Sequence, residues 1–320
     1  MSTRVAHNAK SAVQYFDMEQ IMPGASILII GKRCSGKSNL LFDIMSRIAP
    51  WFSYGLALTP TQSSKAKFSR CIPSLFIDRQ SPERLENYVK QVNSFYDAAV
   101  GGGKEPKKTF LLCDDTAFDK KFMNSKTLSE VFLNGRNFGM TCILVLQYLM
   151  RVGPDLRCNA DFVFVFWDNT DLNQENIRKF WFNMMPKEIF TDVFSAVTKD
   201  YSCMVMDVRK SATSRDWKEC VFWYKATLAD EIPSFQMCEP DFFKMNDFCK
   251  VEGASDRKVQ ENSADVVWRL GPDGKVYDIP TVINKPTETT SSESSEEEEE
   301  EEEPRNAFRK HIKGHHVKGH

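Results

Sequence analysis

Three features of the sequence predict an α/β fold with a mostly parallel central sheet. A β-branched run, Ser26-Ile27-Leu28-Ile29-Ile30, passes through a glycine-bounded loop into a segment of helical spacing. A second hydrophobic run, Thr109 to Cys113, ends in two acids. Strand-length apolar runs then alternate with amphipathic stripes along the chain, the pattern of strands that need helices on their faces.

In chain order, residues 1 to 20 are polar apart from Val13, Tyr15 and Phe16, which predicts an arm that docks on the core or on a neighbouring subunit. Next comes Gly31-Lys32-Arg33-Cys34-Ser35-Gly36-Lys37-Ser38, followed by Asn39 to Ile48 with Leu40, Leu41, Ile44, Met45 and Ile48 on one helical face. This is strand, phosphate loop, helix. Gly31 and Gly36 let the backbone bend close to phosphate oxygens, so that loop N–H groups, on through Asn39, and the positive helix end face the anion. Lys37 adds a point charge between the last two phosphates, and the Ser38 hydroxyl becomes a magnesium ligand.

Tyr54 to Thr59 reads as a strand broken by Thr59-Pro60-Thr61-Gln62, and Leu75 to Asp78 as another. Residues 82 to 99 carry Leu85, Tyr88, Val89, Val92, Phe95 and Tyr96 as a helical stripe that packs on the sheet. Gly101 to Lys108 is a flexible basic loop, and Asp119 to Lys126 a second basic loop. The strand ending Asp114-Asp115 puts two carboxylates at the carboxyl edge of a parallel sheet, where ligands bind in such folds. Asp114 is placed for the magnesium shell and Asp115 to orient or deprotonate an attacking water; the plain alternative is two acids that merely terminate a strand.

Leu128 to Leu133 reads as a short helix, Asn134 to Gly139 as a turn, and Thr141 to Gln147 as a buried strand with a polar tip. An amide there can hydrogen-bond a terminal phosphate and a water together. Arg136 could stabilise phosphoryl charge in its own site or a neighbour's; a solvated or helix-capping arginine fits equally well. Leu172 to Phe182 and Pro186 to Val197 look helical, with aromatics suited to core or subunit contact. Ser202 to Val208 and Cys220 to Lys225 read as a hairpin that closes the sheet edge.

Residues 231 to 286 lose periodicity, although Trp268 and Tyr277 point to some packing. From Thr287 the chain is Ser, Thr and Glu, then unbroken Glu from Glu296 to Glu303, then basic and histidine-containing to His320, a composition that predicts disorder. A solubilising tail is the plain reading. The alternative is an acidic regulator that competes with DNA, strengthened by phosphorylation at Ser291, Ser292, Ser294 or Ser295.

Composition narrows the chemistry. The nine cysteines form no Cys-x-x-Cys pair and read as reduced core residues. Of five histidines, all but His7 lie in the last ten residues, which leaves the body without the means for Ser-His-Asp or Cys-His catalysis. Carboxylates, lysine, arginine and a nucleotide-held metal remain. The net charge of −2 hides 37 basic and 34 acidic side chains before Pro286, a balance that permits nucleic acid without arguing for it. No run is long enough to span a membrane and no signal peptide opens the chain, so an intracellular soluble protein is expected.

The phosphate loop, the strand ending Asp114-Asp115, Asn134-Gly135-Arg136 and the strand ending Gln147 together resemble the genome-packaging ATPases of large double-stranded DNA viruses, a poxvirus-type branch of the FtsK/HerA superfamily. Gly153 to Asp161 is similar to that family's proline, arginine and asparagine ahead of its next strand. The resemblance spans roughly residues 24 to 170. It implies a three-layer RecA/FtsK-like phosphate-loop domain over residues 21 to 230, with ATP and Mg2+ as cofactors. Lys37 and Ser38 would be the phosphate and magnesium residues, Asp114 the metal-side acid, Asp115 the catalytic acid, Gln147 the sensor and Arg136 a candidate arginine finger. Many superfamily members carry glutamate at Asp115, and small residues where this loop has Lys32, Arg33 and Cys34. The partners implied are double-stranded DNA, a capsid or portal-vertex protein, and further copies in a pentameric or hexameric ring. The place implied is the host cytoplasm, a virus factory or the virion. A nucleoside or nucleotide kinase and a non-translocating, ATP-gated assembly protein are the rival readings. ATP is preferred to GTP because no Asn-Lys-x-Asp sequence is present.

Overall fold

The computed structural model describes residues 12–149 and 152–245. Within them nine strands form one sheet: β1 Gln14–Tyr15, β2 Ser26–Ile30, β3 Tyr54–Leu58, β4 Ile77–Asp78, β5 Thr109–Asp114, β6 Met140–Leu146, β7 Phe162–Val165, β8 Ser202–Asp207 and β9 Val221–Lys225. The order is β1-β9-β8-β7-β2-β6-β5-β3-β4. From β7 to β4 every pairing is parallel, whereas β8 runs antiparallel to both β7 and β9. All residues of β2, β3 and β6 are buried, as expected of strands covered on both faces.

The longer helices are α1 Lys37–Ile48, α2 Gln62–Phe68, α3 Pro82–Gly101, α4 Lys126–Asn134, α5 Asp171–Trp181 and α6 Lys187–Val197. Parallel crossovers are right-handed, so the chain places helices on opposite faces when it reverses direction along the sheet. Between β2 and β4 it moves outward, and α1 and α2 share one face; between β4 and β6 it returns, and α3 and α4 cover the other. The result is the three-layer phosphate-loop fold, with the β6 strand inserted between the loop strand β2 and the acidic strand β5. In α1 the predicted apolar positions are the buried ones, joined by Asp43. In α3, Leu85, Tyr88, Val89 and Val92 are buried and Phe95 and Tyr96 half-buried.

Two local expectations need correction and two gain detail. Only Ile77 and Asp78 of the predicted Leu75 strand pair with β3; Ser74–Phe76 is a tight 3-10 turn that starts at Pro73. Thr61 does not simply break a strand: its hydroxyl accepts from the Ser64 amide at 3.1 Å and caps α2. The basic segment after Asp119 contains a helical turn, Lys120–Met123, whose N–H groups Asp119 caps. β8 and β9 pair antiparallel as the expected hairpin, and their link holds two helical turns, Val208–Ser211 and Trp217–Cys220, capped by Asp207 and Asp216.

The sheet edge at β9 is closed by the arm rather than by the β8–β9 pair. β1 adds in parallel, with Gln14 opposite Phe222 and Tyr15 opposite Trp223, and Phe16 is fully buried among Phe162, Phe164 and Phe222. The described part of the arm, residues 12–20, therefore docks on its own chain. All eight cysteines in the described residues are free; six are buried, while Cys34 and Cys158 are exposed. Among the described residues no helix is long and apolar enough to cross a membrane. Trp268, Tyr277 and the acidic and basic tail lie outside the described residues.

Candidate functional site

Sheet register brings the predicted groups to one edge. Asp114 pairs opposite Val145, Val145 opposite Ile29, and Ile29 opposite Phe164, so the ends of β5, β6, β2 and β7 lie in one row. The ladder runs one step further. The Gly31 amide donates to the Leu146 carbonyl at 3.1 Å, and the Phe166 amide to the Ile30 carbonyl at 2.9 Å. The loop then leaves the sheet and turns into α1 through Gly36, whose φ of +107° is open only to glycine at low cost. Space forbids a side chain there as well: a Cβ would sit 3.1 Å from the Phe166 ring and 3.3 Å from the Tyr201 Cβ.

Lys37 opens α1, and its ammonium donates to the Lys32 carbonyl at 2.6 Å across the loop. Burial lowers the Lys37 pKa, while the charges of Asp115 and Asp114 work to keep the proton on. Burial, helped by Asp115, raises Asp114 to about 6. Ser64, by hydrogen bond, and the charges of Lys37 and Lys67 oppose that rise. Next along the chain, Asp115 adopts φ +56° and turns out of the strand, and its Oδ1 accepts from the Gln147 side-chain amide at 2.8 Å. Lys37, Asp114, Asp115 and Gln147 thus meet at the carboxyl edge.

Lys32 is held from the far side of the loop. Its ammonium lies 3.0 Å from Asp168 Oδ1 and 3.1 Å from Thr170 Oγ1, and it also donates to Asn169. Burial pushes Asp168 up, but the Thr170 amide, Lys32 and Asn173 together hold it below the usual carboxylate value. Arg33 and Cys34 are exposed, with Cys34 at φ +61°. Cys34, Ser35, Gly36, Lys37, Ser38 and Asn39 line an open cleft of about 280 Å³ with Tyr201 and Leu228.

These residues fit a magnesium-bound triphosphate. The Ser35 hydroxyl is buried with no hydrogen-bond partner inside the loop, a donor that a phosphate oxygen would satisfy. The Lys37 ammonium rests on a backbone carbonyl and can exchange it for phosphate. Ser38, exposed in the first turn of α1, and Asp114 are the oxygen donors available for Mg2+.

Arg136 is not brought to this edge. It precedes β6, and its guanidinium pairs with Asp161 Oδ1 at 3.2 Å, just before β7. Asp161 Oδ2 also accepts from the Ser26 amide at 2.8 Å, at the start of β2. Arg136 therefore sits at the amino edge, a strand length of about 15 Å or more from the phosphate loop.

Sequence reasoning misses Ser64 and Lys67, which face Asp114 from α2, because Thr59-Pro60-Thr61 reads only as a break. The Thr61-to-Ser64 capping spacing was the available signal. Asp168, Tyr201 and Leu228 gave no local signal: each follows a strand end or a turn whose direction only the folded chain sets.

No family model matches the chain. The uncharacterized protein L437 of Acanthamoeba polyphaga mimivirus is 30% identical to it over 224 residues, 68% of this chain and 78% of L437. The chain belongs to the L437 family. The L437 family extends to the uncharacterized protein 075L of Invertebrate iridescent virus 6, 30% identical over 65% of this chain and 79% of 075L. Protein 015R of Frog virus 3 is also 30% identical, over 63% of this chain and 62% of 015R. Among solved structures, B204, the DNA-packaging ATPase from Sulfolobus Turreted Icosahedral Virus, is 18% identical over 65% of this chain and 100% of that chain, with a TM-score of 0.45. The conjugation coupling protein TcpA of pCW3 is 10% identical over 75% of this chain and 74% of that chain, with a TM-score of 0.42.

Proposed function

We propose that this protein hydrolyses ATP and uses the cycle to move double-stranded DNA, in its viral setting into a capsid, as a ring of identical subunits. The observation that carries the hydrolytic part is the meeting of Lys37, Asp114 and the Asp115–Gln147 pair at one sheet edge beside the α1 N-terminus. The DNA-moving part is supported by the motif resemblance to packaging ATPases and by relatives in large DNA viruses.

The loop amides and the α1 N-terminus bind the phosphates, and Lys37 gives up the Lys32 carbonyl to sit between the last two. Mg2+, when bound through Ser38 and Asp114, supplies charge neutralisation on the phosphate oxygens. Asp115 accepts a hydrogen bond or a proton from the attacking water, and Gln147, anchored on Asp115, places its amide between that water and the terminal phosphate. Loss of that phosphate removes a partner from Gln147, which gives the β6 end a reason to shift after each turnover.

The test is ATP turnover with and without double-stranded DNA at several salt concentrations, alongside Lys37→Ala and Asp115→Asn. Expected are turnover stimulated by DNA, stimulation lost at high salt, and no turnover in either variant. Robust turnover indifferent to DNA would overturn the motor reading and leave an ATPase or a kinase.

A further inference from the structure

The cleft at the phosphate loop continues onto two bulky side chains that phosphate chemistry does not use. Tyr201 is 67% exposed and Leu228 is 53% exposed, yet both line the same space as Cys34 to Asn39. An aromatic and an aliphatic surface left open to water beside an anion cradle call for a ligand that carries a flat apolar group next to its phosphates.

Both walls are fixed to the loop they border. Asp200 and Tyr201 stand at φ +54° and +62°, two successive left-handed residues that persist only where the surroundings enforce them. The Ser202 amide closes the turn on the Lys199 carbonyl at 3.0 Å, just before β8. The turn rests on the phosphate loop itself: a Cβ on Gly36 would lie 3.3 Å from the Tyr201 Cβ and 3.4 Å from its carbonyl oxygen. On the other wall, the Thr227 amide donates to Asp43 Oδ2 at 3.1 Å, and the Tyr224 hydroxyl donates to the same oxygen at 2.6 Å. Asp43 lies buried in α1, with Oδ1 bound by Arg47 at 2.9 Å. A buried carboxylate on the phosphate-binding helix thereby holds the residue next to Leu228.

We propose that Tyr201 and Leu228 form the base subsite of this nucleotide site, gripping the faces of a purine ring. The inference rests on the nucleotide-binding reading above and deepens it. Recognition by ring faces follows from the chemistry: every base offers a π face to an aromatic ring, so stacking is tolerant of base identity. Adenine and guanine nucleotides are accordingly expected to bind within about tenfold of each other.

The experiment is equilibrium binding of Mg·ATP, Mg·GTP and Mg·tripolyphosphate to the full chain and to Tyr201→Ala, Tyr201→Phe, Leu228→Ala and Lys37→Ala, with thermal melts as folding controls. Expected is a loss of about tenfold or more for both nucleotides in Tyr201→Ala, a smaller one in Leu228→Ala, and retention in Tyr201→Phe. Tripolyphosphate affinity stays unchanged in all three and falls in Lys37→Ala. If Tyr201→Ala leaves ATP affinity unchanged, or weakens tripolyphosphate and ATP alike, the base subsite is wrong while the phosphate site stands. If the unmodified chain binds neither ATP nor tripolyphosphate, or Lys37→Ala changes nothing, the nucleotide reading itself falls.

Discussion

The Gln147 side-chain amide donates to Asp115 Oδ1 at 2.8 Å, and so joins the ends of two neighbouring strands across the candidate site. Because a carboxylate only accepts, this contact orients the amide and leaves its carbonyl oxygen facing the other way. The two side chains should act as one unit. Asp115→Asn is expected to cut single-turnover phosphate release by about 100-fold or more with ATP binding retained, and Gln147→Ala by about tenfold. In the double variant the losses should be far from additive, and simple additivity would show that the pair does not work together.

Asp114 carries a cost that a stability measurement can read. Its folded pKa of about 6 lies above the unfolded value of 3.8, so the native state holds the extra proton and stability falls as pH rises between those values. Asp114→Asn removes that penalty and can still accept from Ser64. Without nucleotide or metal it is expected to stabilise the protein by roughly 2–3 kcal/mol at pH 7 to 8, an advantage that vanishes near pH 4. Urea titrations at both pH values check this; destabilisation at pH 8 would mean that the Asp114 charge is compensated in the folded site. Turnover in the same variant should be lost, the usual exchange of stability for function at a charged site.

The strands, the loop and the order of the helices were legible because each rests on local pattern: β-branched runs for β2 and β6, glycine at Gly31 and Gly36, a 3.6 period in α1 and α3. Asp114, Asp115 and Gln147 were legible for the same reason, since a polar residue at the tip of a buried strand has one edge to occupy. Arg136 was legible as a turn residue ahead of β6, but its ion pair was not, because Asp161 lies 25 residues further along the chain. Tyr201, Leu228 and Lys32's grip on Asp168 depend on contacts between distant segments, to which no spacing rule applies. The arm was half legible: Val13, Tyr15 and Phe16 announced a buried cluster but not its address on β9.

Arg136 sits half-exposed against a buried acid, and the two partners should respond differently. Arg136→Ala removes a partly solvated ion pair and is expected to cost at most about 1 kcal/mol, with ATP affinity of the dilute protein unchanged. Asp161→Ala also strips the Ser26 amide of its acceptor and is expected to cost about 1–3 kcal/mol more. A fall in turnover for Arg136→Ala that appears only at concentrations where subunits associate would assign the arginine to a neighbour's site. A fall in the dilute monomer would contradict its place at the amino edge.

Phe16 decides whether the arm is part of the fold. Its ring meets Phe162, Phe164 and Phe222 edge-on at centroid distances of 5.6, 5.5 and 5.6 Å, and its amide donates to the Trp223 carbonyl at 2.9 Å. Two residues of β1 make too few ladder bonds to hold the arm alone, so the ring must supply the anchoring. Phe16→Ala is expected to cost about 3–5 kcal/mol and to raise hydrogen exchange along β9, which then becomes an open edge. Tyr15→Ala, on the exposed side of the same arm, should cost far less, because the residue is 51% exposed and its removal leaves no buried cavity. Equal losses from the two would mean that the arm adds surface contact rather than core; a large difference, with exchange confined to β9, makes the arm the element that caps the antiparallel end of the sheet.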